Sequence, residues 1–328
     1  MRIPDVYSNV LGLIGNTPLV HISSLSVKGK GQVYAKLENA NPSGSVKDRI
    51  VKFMLENAAK TGLLKGVDTI VEASSGNTAI SIAMLAARFG LKAKLFIPSD
   101  TSAEKKQLIK SFGAEMYCVS SGTPYEGCTD YMQAARVYAK GDRKSYLLDQ
   151  YNNALNTEAH FHGLGKEVSS SLGKKINFFV ATGSTGGTIS GVGRQLKEND
   201  KRTQVILADP QGSIYYSHFY GTRAERRDLL RRSKVEGAGK TMAAQNMDFG
   251  VIDRVVQFND AAAVEMTFHL HQHESLIVGL SSGANALVAS RIAREVTGPA
   301  NIVTVFPDAG SRYLSKLTDV EWLESLKI

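Results

Sequence analysis

The chain has 328 residues, of which 43% are hydrophobic and 21% are charged, which is enough for one large or two moderate cores. No stretch reaches the roughly 20 consecutive apolar residues that span a bilayer, and residues 1–16 lack the order of a secretory signal. Cys118 and Cys128 are too few for a disulfide framework or a zinc site. We therefore predict a cytoplasmic protein with both cysteines reduced.

The net charge of +8 is dispersed along the chain, which argues against a nucleic-acid surface. The densest basic run extends from Arg223 to Lys234. We predict a solvated helix or loop there, with a phosphate-bearing substrate as the alternative.

Short β-branched runs alternate with amphipathic helical patterns. The strand patterns are 68–72, 93–97, 176–181, 203–207 and 301–306, and the helical patterns are 74–89, 102–112, 188–198 and 285–296. This order predicts an α/β fold with mostly parallel sheets covered on both faces. Ligands of such sheets bind at the carboxyl ends of strands, where turns lead into helices.

The first candidate turn, residues 41–49, places Lys47 near a helix N-terminus. The helix dipole disfavours a cation there, and a nearby dianion or an uncharged amine would relieve the conflict. Lysine also suits Schiff-base chemistry. An ordinary surface lysine in a Gly/Ser loop remains the alternative.

The second candidate turn, residues 72–79, contains Ser74, Ser75, Gly76, Asn77 and Thr78. Hydroxyls and free N–H groups at a helix N-terminus form a nest for a carboxylate, and the Asn77 amide could hold a phenolic oxygen. Helix capping by Ser74 or Ser75 is the alternative, but capping needs only one such residue.

The third candidate turn, residues 181–188, is rich in glycine and threonine and lies between a strand and a helix. Its spacing matches neither the P-loop nor the dinucleotide fingerprint. The turn is typical of a site for one phosphomonoester.

Two later turns, residues 278–284 and 306–313, are each explained by helix capping when considered alone. Within the run His269, His271 and His273, the first and last are four residues apart on one helical face, a spacing that zinc could use, but no acid or third ligand at helical spacing joins them. We interpret them as part of a surface helix and predict no metal.

Taken together, these turns resemble the fold-type II pyridoxal-phosphate (PLP) enzymes, in the cysteine synthase and cystathionine β-synthase branch. The similarity extends from residues 14–20 to residues 308–314, with motifs that agree in identity, order and spacing. The resemblance implies two three-layer α/β/α domains like those of the tryptophan synthase β chain. The smaller, mobile one would comprise 1–18 and 41–151, the larger 19–40 and 152–328, and the enzyme would be a homodimer.

The resemblance also implies roles for individual residues. Lys47 would be the Schiff-base lysine and the catalytic base. The cofactor-binding residues would be Lys47, Asn77, Gly183, Thr185, Gly186, Gly187, Thr188, Ser281, Pro307 and Asp308. The substrate-binding residues would be Ser74, Ser75, Gly76, Thr78, Gln150, Gly237 and Arg223.

The implied reaction is β-replacement on serine, O-acetylserine or O-phosphoserine, through an aminoacrylate to which a small thiol or amine adds. PLP would act as the electron sink. Ser281 opposite the ring nitrogen would not hold that nitrogen protonated, which favours prompt β-elimination.

The sequence departs from the family pattern at positions that the resemblance places at the entrance, where the nucleophile would arrive. Ala79 stands where the loop usually has glycine, residues 237–244 lack the usual Ile and Pro, and the segment 215–234 is long, aromatic and basic. These changes argue against a plain sulfide-using cysteine synthase. His160 and the following residues to Gly163 are similar to siderophore-pathway enzymes that join O-phosphoserine to glutamate, in which case Arg223 could pair with the phosphate. A serine/threonine dehydratase and a non-catalytic PLP-binding paralogue are further alternatives.

Overall fold

The computed structural model describes residues 6–74, 76–173, 175–222 and 230–327. Its strands are β1 (Leu19–His21), β2 (Gly31–Leu37), β3 (Thr69–Ala73), β4 (Lys92–Pro98), β5 (Glu115–Val119), β6 (Ser145–Leu147), β7 (Phe178–Thr182), β8 (Gln204–Pro210), β9 (Arg254–Phe258) and β10 (Ala300–Phe306).

The α-helices follow the strands as the alternating pattern predicts. They are α1 (Lys47–Lys60), α2 (Asn77–Ala86), α3 (Ala103–Ser111), α4 (Tyr131–Gly141), α5 (Leu155–Ala159), α6 (Lys166–Ser171), α7 (Gly187–Asn199), α8 (Ile214–Tyr220), α9 (Asp260–His273), α10 (Leu280–Glu295), α11 (Leu314–Leu317) and α12 (Val320–Glu324). A π-helix, His160–Gly165, connects α5 to α6. The 3₁₀ turns are Val10–Leu13, Ser23–Leu25, Glu38–Ala40, Ala87–Phe89, Phe249–Val251 and Gly310–Tyr313.

The chain divides into two units. One unit combines the segment that ends at Ile14 with Asn41–Leu155, and the other combines Gly15–Ala40 with the chain from Asn156 onward. The mobility and ligand roles that the resemblance gives to two domains stay predictions.

The first unit contains a parallel sheet in the order β5-β4-β3-β6. All five residues of β3 are buried, as expected for a strand covered on both faces. Val71 of β3 pairs with Leu147 of β6, so the segments that follow these two strands leave the same edge of the sheet. This register brings Ser74 and Gln150 into one neighbourhood.

The second unit contains a six-stranded sheet in the order β1-β2-β10-β7-β8-β9, in which only the β1–β2 pair is antiparallel. Its core includes Val180, Ile206 and Phe306 from the central strands. The carboxyl ends of β7, β8 and β10 lie at one edge because these strands are parallel. The predicted α/β class with mostly parallel sheets is confirmed.

The helix predicted at 285–296 was wrong at its start, since α10 begins at Leu280. The small residues before position 285 lie inside the helix because α10 packs closely on α9. A Cβ added at Gly283 would come within 2.1 Å of Thr267 Oγ1 and 2.2 Å of the Ala263 carbonyl oxygen. Within the described residues, no helix is long and apolar enough to cross a membrane.

Candidate active site

Lys47 is the first residue of α1, and the residue after it is a buried carboxylate. Asp48 accepts hydrogen bonds from the Ser43 backbone N–H at 2.7 Å, from the Ser43 hydroxyl and from the Ser81 hydroxyl at 2.6 Å. A buried carboxyl group is stabilised when its oxygens accept several hydrogen bonds. Asp48 therefore fixes the turn that carries the lysine.

Ser81 also connects this turn to Asn77. Its Oγ lies 3.1 Å from the Asn77 carbonyl oxygen as well as 2.6 Å from Asp48. Asn77 is the first residue of α2, which packs against α1. The starts of the two helices that carry the predicted lysine and the predicted amide are thus joined through one buried hydroxyl.

The segment between β3 and α2, here called the Ser74 loop (residues 74–78), is held at both ends by hydrogen bonds. The Ser74 N–H donates to the Phe96 carbonyl at 3.0 Å, and the Gly76 N–H donates to the Ser74 hydroxyl at 3.1 Å. Gly76, not Ser74, is the N-cap of α2, and no described side chain caps that helix. Ser75 lies outside the described residues.

Gln150 contacts the Ser74 loop through its side-chain amide. Its Oε1 accepts from the Thr78 hydroxyl at 2.6 Å, and its Nε2 donates to the Ala73 carbonyl at 3.1 Å. Both Gln150 and Thr78 are buried. Gln150 thus orients Thr78, while its predicted contact with a substrate stays a prediction.

Glu72, which the sequence analysis did not single out, lies beneath the Ser74 loop. Its two carboxyl oxygens accept from the backbone N–H groups of Ala73 at 2.9 Å and Gln150 at 3.2 Å. Burial raises the pKa of Glu72 to about 8, although these hydrogen bonds oppose the shift. The side chain is therefore mostly neutral at pH 7.

In the second unit, the segment between β7 and α7, here called the Thr185 loop (residues 183–188), has the geometry of an anion site. Gly186 is the N-cap of α7 with φ +88°, and no side chain among the described residues caps the helix. A Cβ at Gly186 would lie 2.5 Å from the Met247 backbone, so only glycine fits. The first N–H groups of α7 have the positive electrostatic character that binds phosphate.

Two buried residues outside the Thr185 loop orient its threonines. Asn156 Nδ2 donates to Thr185 Oγ1 at 3.1 Å, and His160 Nε2 lies 3.2 Å from Thr188 Oγ1. Asn156 and His160 are four residues apart, on α5 and the π-helix, so they project from the same side. The loop is a fixed cradle of neutral donors, which fits a phosphate group.

Pro307 and Asp308 follow β10, and Asp308 contacts Gly279, the N-cap of the helix α10 that contains Ser281. The Gly279 N–H donates to the Asp308 carbonyl at 2.9 Å, and Asp308 Oδ2 accepts from the Tyr313 hydroxyl at 2.6 Å. Ser281 is buried in the first turn of α10.

Asn285 connects this region to the Thr185 loop, and the sequence analysis missed it. Its Oδ1 accepts from the Thr182 N–H at 2.6 Å and its Nδ2 donates to the Val305 carbonyl at 2.7 Å. The ends of β7 and β10 are therefore tied to the same helix. One signal was present, since Asn285 is an amide within the small and apolar run from Gly283 to Ala289.

The remaining predicted residues lie at the periphery or outside the described chain. Gly237 is exposed with φ +86°, and Arg223 lies outside the described residues. Arg231 and Arg232, from the predicted basic run, are exposed. His269 stacks on His273 at 4.3 Å, and among the described residues no cluster of three or more possible metal ligands occurs.

A family model described as pyridoxal-phosphate dependent enzyme matches residues 10–308. The chain belongs to this family, and the predicted cofactor, PLP, is confirmed.

Individual relatives place the chain in one branch of the family. It is 35% identical to cysteine synthase 2 of Schizosaccharomyces pombe, over 99% of this chain and 87% of that protein. It is also 35% identical to cystathionine β-synthase of Saccharomyces cerevisiae, over 98% of this chain but only 64% of that protein's length. The solved structure of an O-acetylserine dependent cystathionine β-synthase from Helicobacter pylori matches with a TM-score of 0.83 and 31% identity, covering 95% of this chain and 98% of that one.

Proposed function

We propose that the chain catalyses β-replacement on a serine-type amino acid: a leaving group departs from Cβ, and a small thiol or amine takes its place. The observation that carries the proposal is the buried 2.6 Å hydrogen bond from the Ser81 hydroxyl of α2 to Asp48 of α1, the residue that follows Lys47. It holds the start of a lysine-bearing helix and the start of an amide-bearing helix in a fixed arrangement. A surface lysine would have no need of such support.

The residues that the resemblance names would hold the cofactor. The Thr185 loop would bind the phosphate and Ser281 would face the ring nitrogen. Asn77 would bind the ring oxygen, and the Lys47 amine would attach the cofactor. PLP, when bound, withdraws electrons from the substrate Cα.

Lys47 would move the proton at Cα. Its free amine would take this proton and later return it, as a general base and then a general acid. Ser281 offers a neutral hydroxyl, which does not stabilise a protonated ring nitrogen and so favours loss of the leaving group.

The Ser74 loop would bind the substrate carboxylate with the Ser74 and Thr78 hydroxyls. A negative charge beneath this loop would repel that carboxylate. Because burial raises the pKa of Glu72 to about 8, its carboxyl is largely uncharged at neutral pH. The electrostatics of the loop support the binding of an anion.

The test is a substrate titration of the purified holoenzyme, followed by visible absorption. Serine, O-acetylserine and O-phosphoserine are added separately, and then sulfide, homocysteine or glutamate, with the products identified by mass. We expect one of the three amino acids to change the absorption spectrum, and one of the nucleophiles to restore the starting spectrum. Pyruvate release at the same rate without any nucleophile would instead identify a dehydratase.

A variant pair makes the test specific for the lysine. Lys47→Ala should lower the rate at least ~1,000-fold. Lys60→Ala, in the exposed last turn of the same helix, should stay within about twofold of the wild type. Equal rates for the two variants would contradict the proposal.

We also propose a cytoplasmic homodimer. Cys118 and Cys128 are free, which is consistent with a reducing compartment. The dimer rests on the family resemblance, and light scattering of the purified protein tests it: a monomeric mass would reject it.

A further inference from the structure

Tyr215 contacts the Thr185 loop from outside. Its hydroxyl donates a 2.6 Å hydrogen bond to the Ser184 carbonyl, and its side chain is fully buried. Tyr215 lies in α8, which follows β8, and β8 pairs in parallel with β7. The tyrosine and the loop thus follow neighbouring strands at one edge of the sheet.

The hydrogen bond fixes the orientation of a peptide group. A peptide unit is planar, and in the trans form its C=O and N–H point in opposite directions. Since the Ser184 carbonyl points at Tyr215, the Thr185 N–H of the same peptide unit points away from it. The preceding unit is held in the same manner, because the Gly183 carbonyl accepts from the Gly239 N–H at 2.8 Å.

This orientation matters for an anion. Phosphate binds to N–H groups and is repelled by carbonyl oxygens, so a loop that binds it must keep its carbonyls turned outward. Two successive carbonyls of the Thr185 loop are engaged by partners outside the loop. A rotation of either peptide unit would turn a carbonyl oxygen toward the anion in place of an N–H group.

Tyr215 is itself well fixed and remains a donor. Its ring packs against Phe249 at a centroid distance of 6.0 Å, and its N–H is 3.4 Å from the Ser213 hydroxyl. Burial raises the pKa of the Tyr215 phenol, and a backbone hydrogen bond with Ala244 only partly offsets this. The phenol therefore keeps its proton at neutral pH.

We propose that Tyr215 is a positioning residue for the cofactor: its hydroxyl orients the Ser184–Thr185 peptide unit so that the Thr185 loop presents N–H donors to the phosphate group. This inference rests on the proposed function, which assigns the phosphate to this loop.

Tyr215→Phe tests the proposal because it removes the hydroxyl and keeps the ring. The control is Tyr220→Phe in the same helix, where the hydroxyl donates at 3.3 Å to the carbonyl of Val255, away from the loop. PLP is titrated into each apo-protein, and the ³¹P resonance of the bound cofactor is recorded. For Tyr215→Phe we expect a roughly five- to tenfold higher Kd and a shifted resonance, and for the control neither change.

The possible results distinguish failure of this inference from failure of the proposed function. An unchanged Kd and resonance in Tyr215→Phe would overturn the inference, as would an equal change in both variants. A wild-type chain that binds no PLP would reject the proposed function instead. If Tyr215→Phe is less stable, hydrogen exchange of the apo-protein is the second measurement: residues 183–188 should exchange faster in this variant than in the control, and equal exchange would overturn the inference.

Discussion

The Ser74 loop and the Thr185 loop both follow a parallel strand and lead into a helix, but different forces hold them. The Ser74 loop depends on side-chain hydrogen bonds, from Thr78 to Gln150 and from Gln150 to the backbone, above the buried carboxyl of Glu72. The Thr185 loop depends on backbone packing at Gly186 and on the side chains of Asn156 and His160, which orient its threonines.

This difference matches what each loop is proposed to bind. A substrate enters and leaves in every cycle, and side-chain hydrogen bonds can exchange for bonds to a carboxylate. A cofactor phosphate stays bound, and close backbone packing keeps its donors in place without rearrangement. The Ser74 loop should therefore respond to pH, and the Thr185 loop should respond most strongly to added volume.

The largest effect is expected from Gly186→Ala. The added methyl would meet the Met247 backbone at 2.5 Å while φ is +88°, so we expect a loss of stability on the order of 5 kcal/mol and no measurable PLP binding. Urea unfolding and PLP titration check this. Gly221→Ala is the control, because Gly221 also has positive φ (+60°) but open space around it, and should cost only about 1 kcal/mol. Equal losses of stability in the two variants would show that the close packing at Gly186 does not stabilise the Thr185 loop.

The second-largest expected effect is a pH dependence of the free energy of unfolding, caused by Glu72. Its pKa is about 8 in the folded protein against 4.5 as the ordinary value, so the unfolded state ionises first as the pH rises. The free energy of unfolding should fall by a few kcal/mol between about pH 4.5 and pH 8, and no further above that. Urea unfolding across this range checks the sign.

Glu72→Gln isolates the contribution, and Glu56→Gln on the surface of α1 is its control. Asp209 contributes with the same sign because burial raises its pKa to about 7, so the informative quantity is the difference between wild type and variant. We expect a flatter profile for Glu72→Gln only. A profile as steep as that of the wild type would mean that the carboxyl is ionised in the fold.

The smallest effects come from two isosteric changes. Thr78→Val removes the hydroxyl that donates to Gln150, and should raise the KM for the amino-acid substrate about tenfold while the Kd of PLP stays constant.

Thr188→Val removes the hydroxyl beside His160, and should raise the Kd of PLP about fivefold while the KM at saturating PLP stays constant. If both variants changed the same constant, the two loops would not have separate roles.

Local pattern in the sequence predicted both loops and the sheets that carry them. A β-branched run, a turn of small polar residues and a helical period are all visible without tertiary information, which is why the Ser74 and Thr185 loops were found. The same reasoning misread residues 278–284 as a turn. Small residues serve close helix packing as well as turns, and only the contact between Gly283 and α9 distinguishes the two.

The supporting contacts could not be predicted because the two partners of each contact are distant in sequence. Ser81 is 33 residues from Asp48, Gln150 is 72 residues from Thr78, and Tyr215 is 31 residues from Ser184. Nothing in a local window separates a buried serine or tyrosine with such a partner from one that merely packs. Glu72 shows the same limit, since its raised pKa arises from burial in the folded sheet.

The central claim is that Lys47 carries the cofactor, and borohydride reduction of the holoenzyme tests it most directly. Reduction converts the bond between PLP and a lysine amine into a stable one, and digestion with mass spectrometry then identifies the modified residue. We predict a single modified peptide that contains Lys47 and the loss of this modification in Lys47→Ala. Modification of another lysine, such as the buried Lys105 beside Gly76, or of none, would contradict the account.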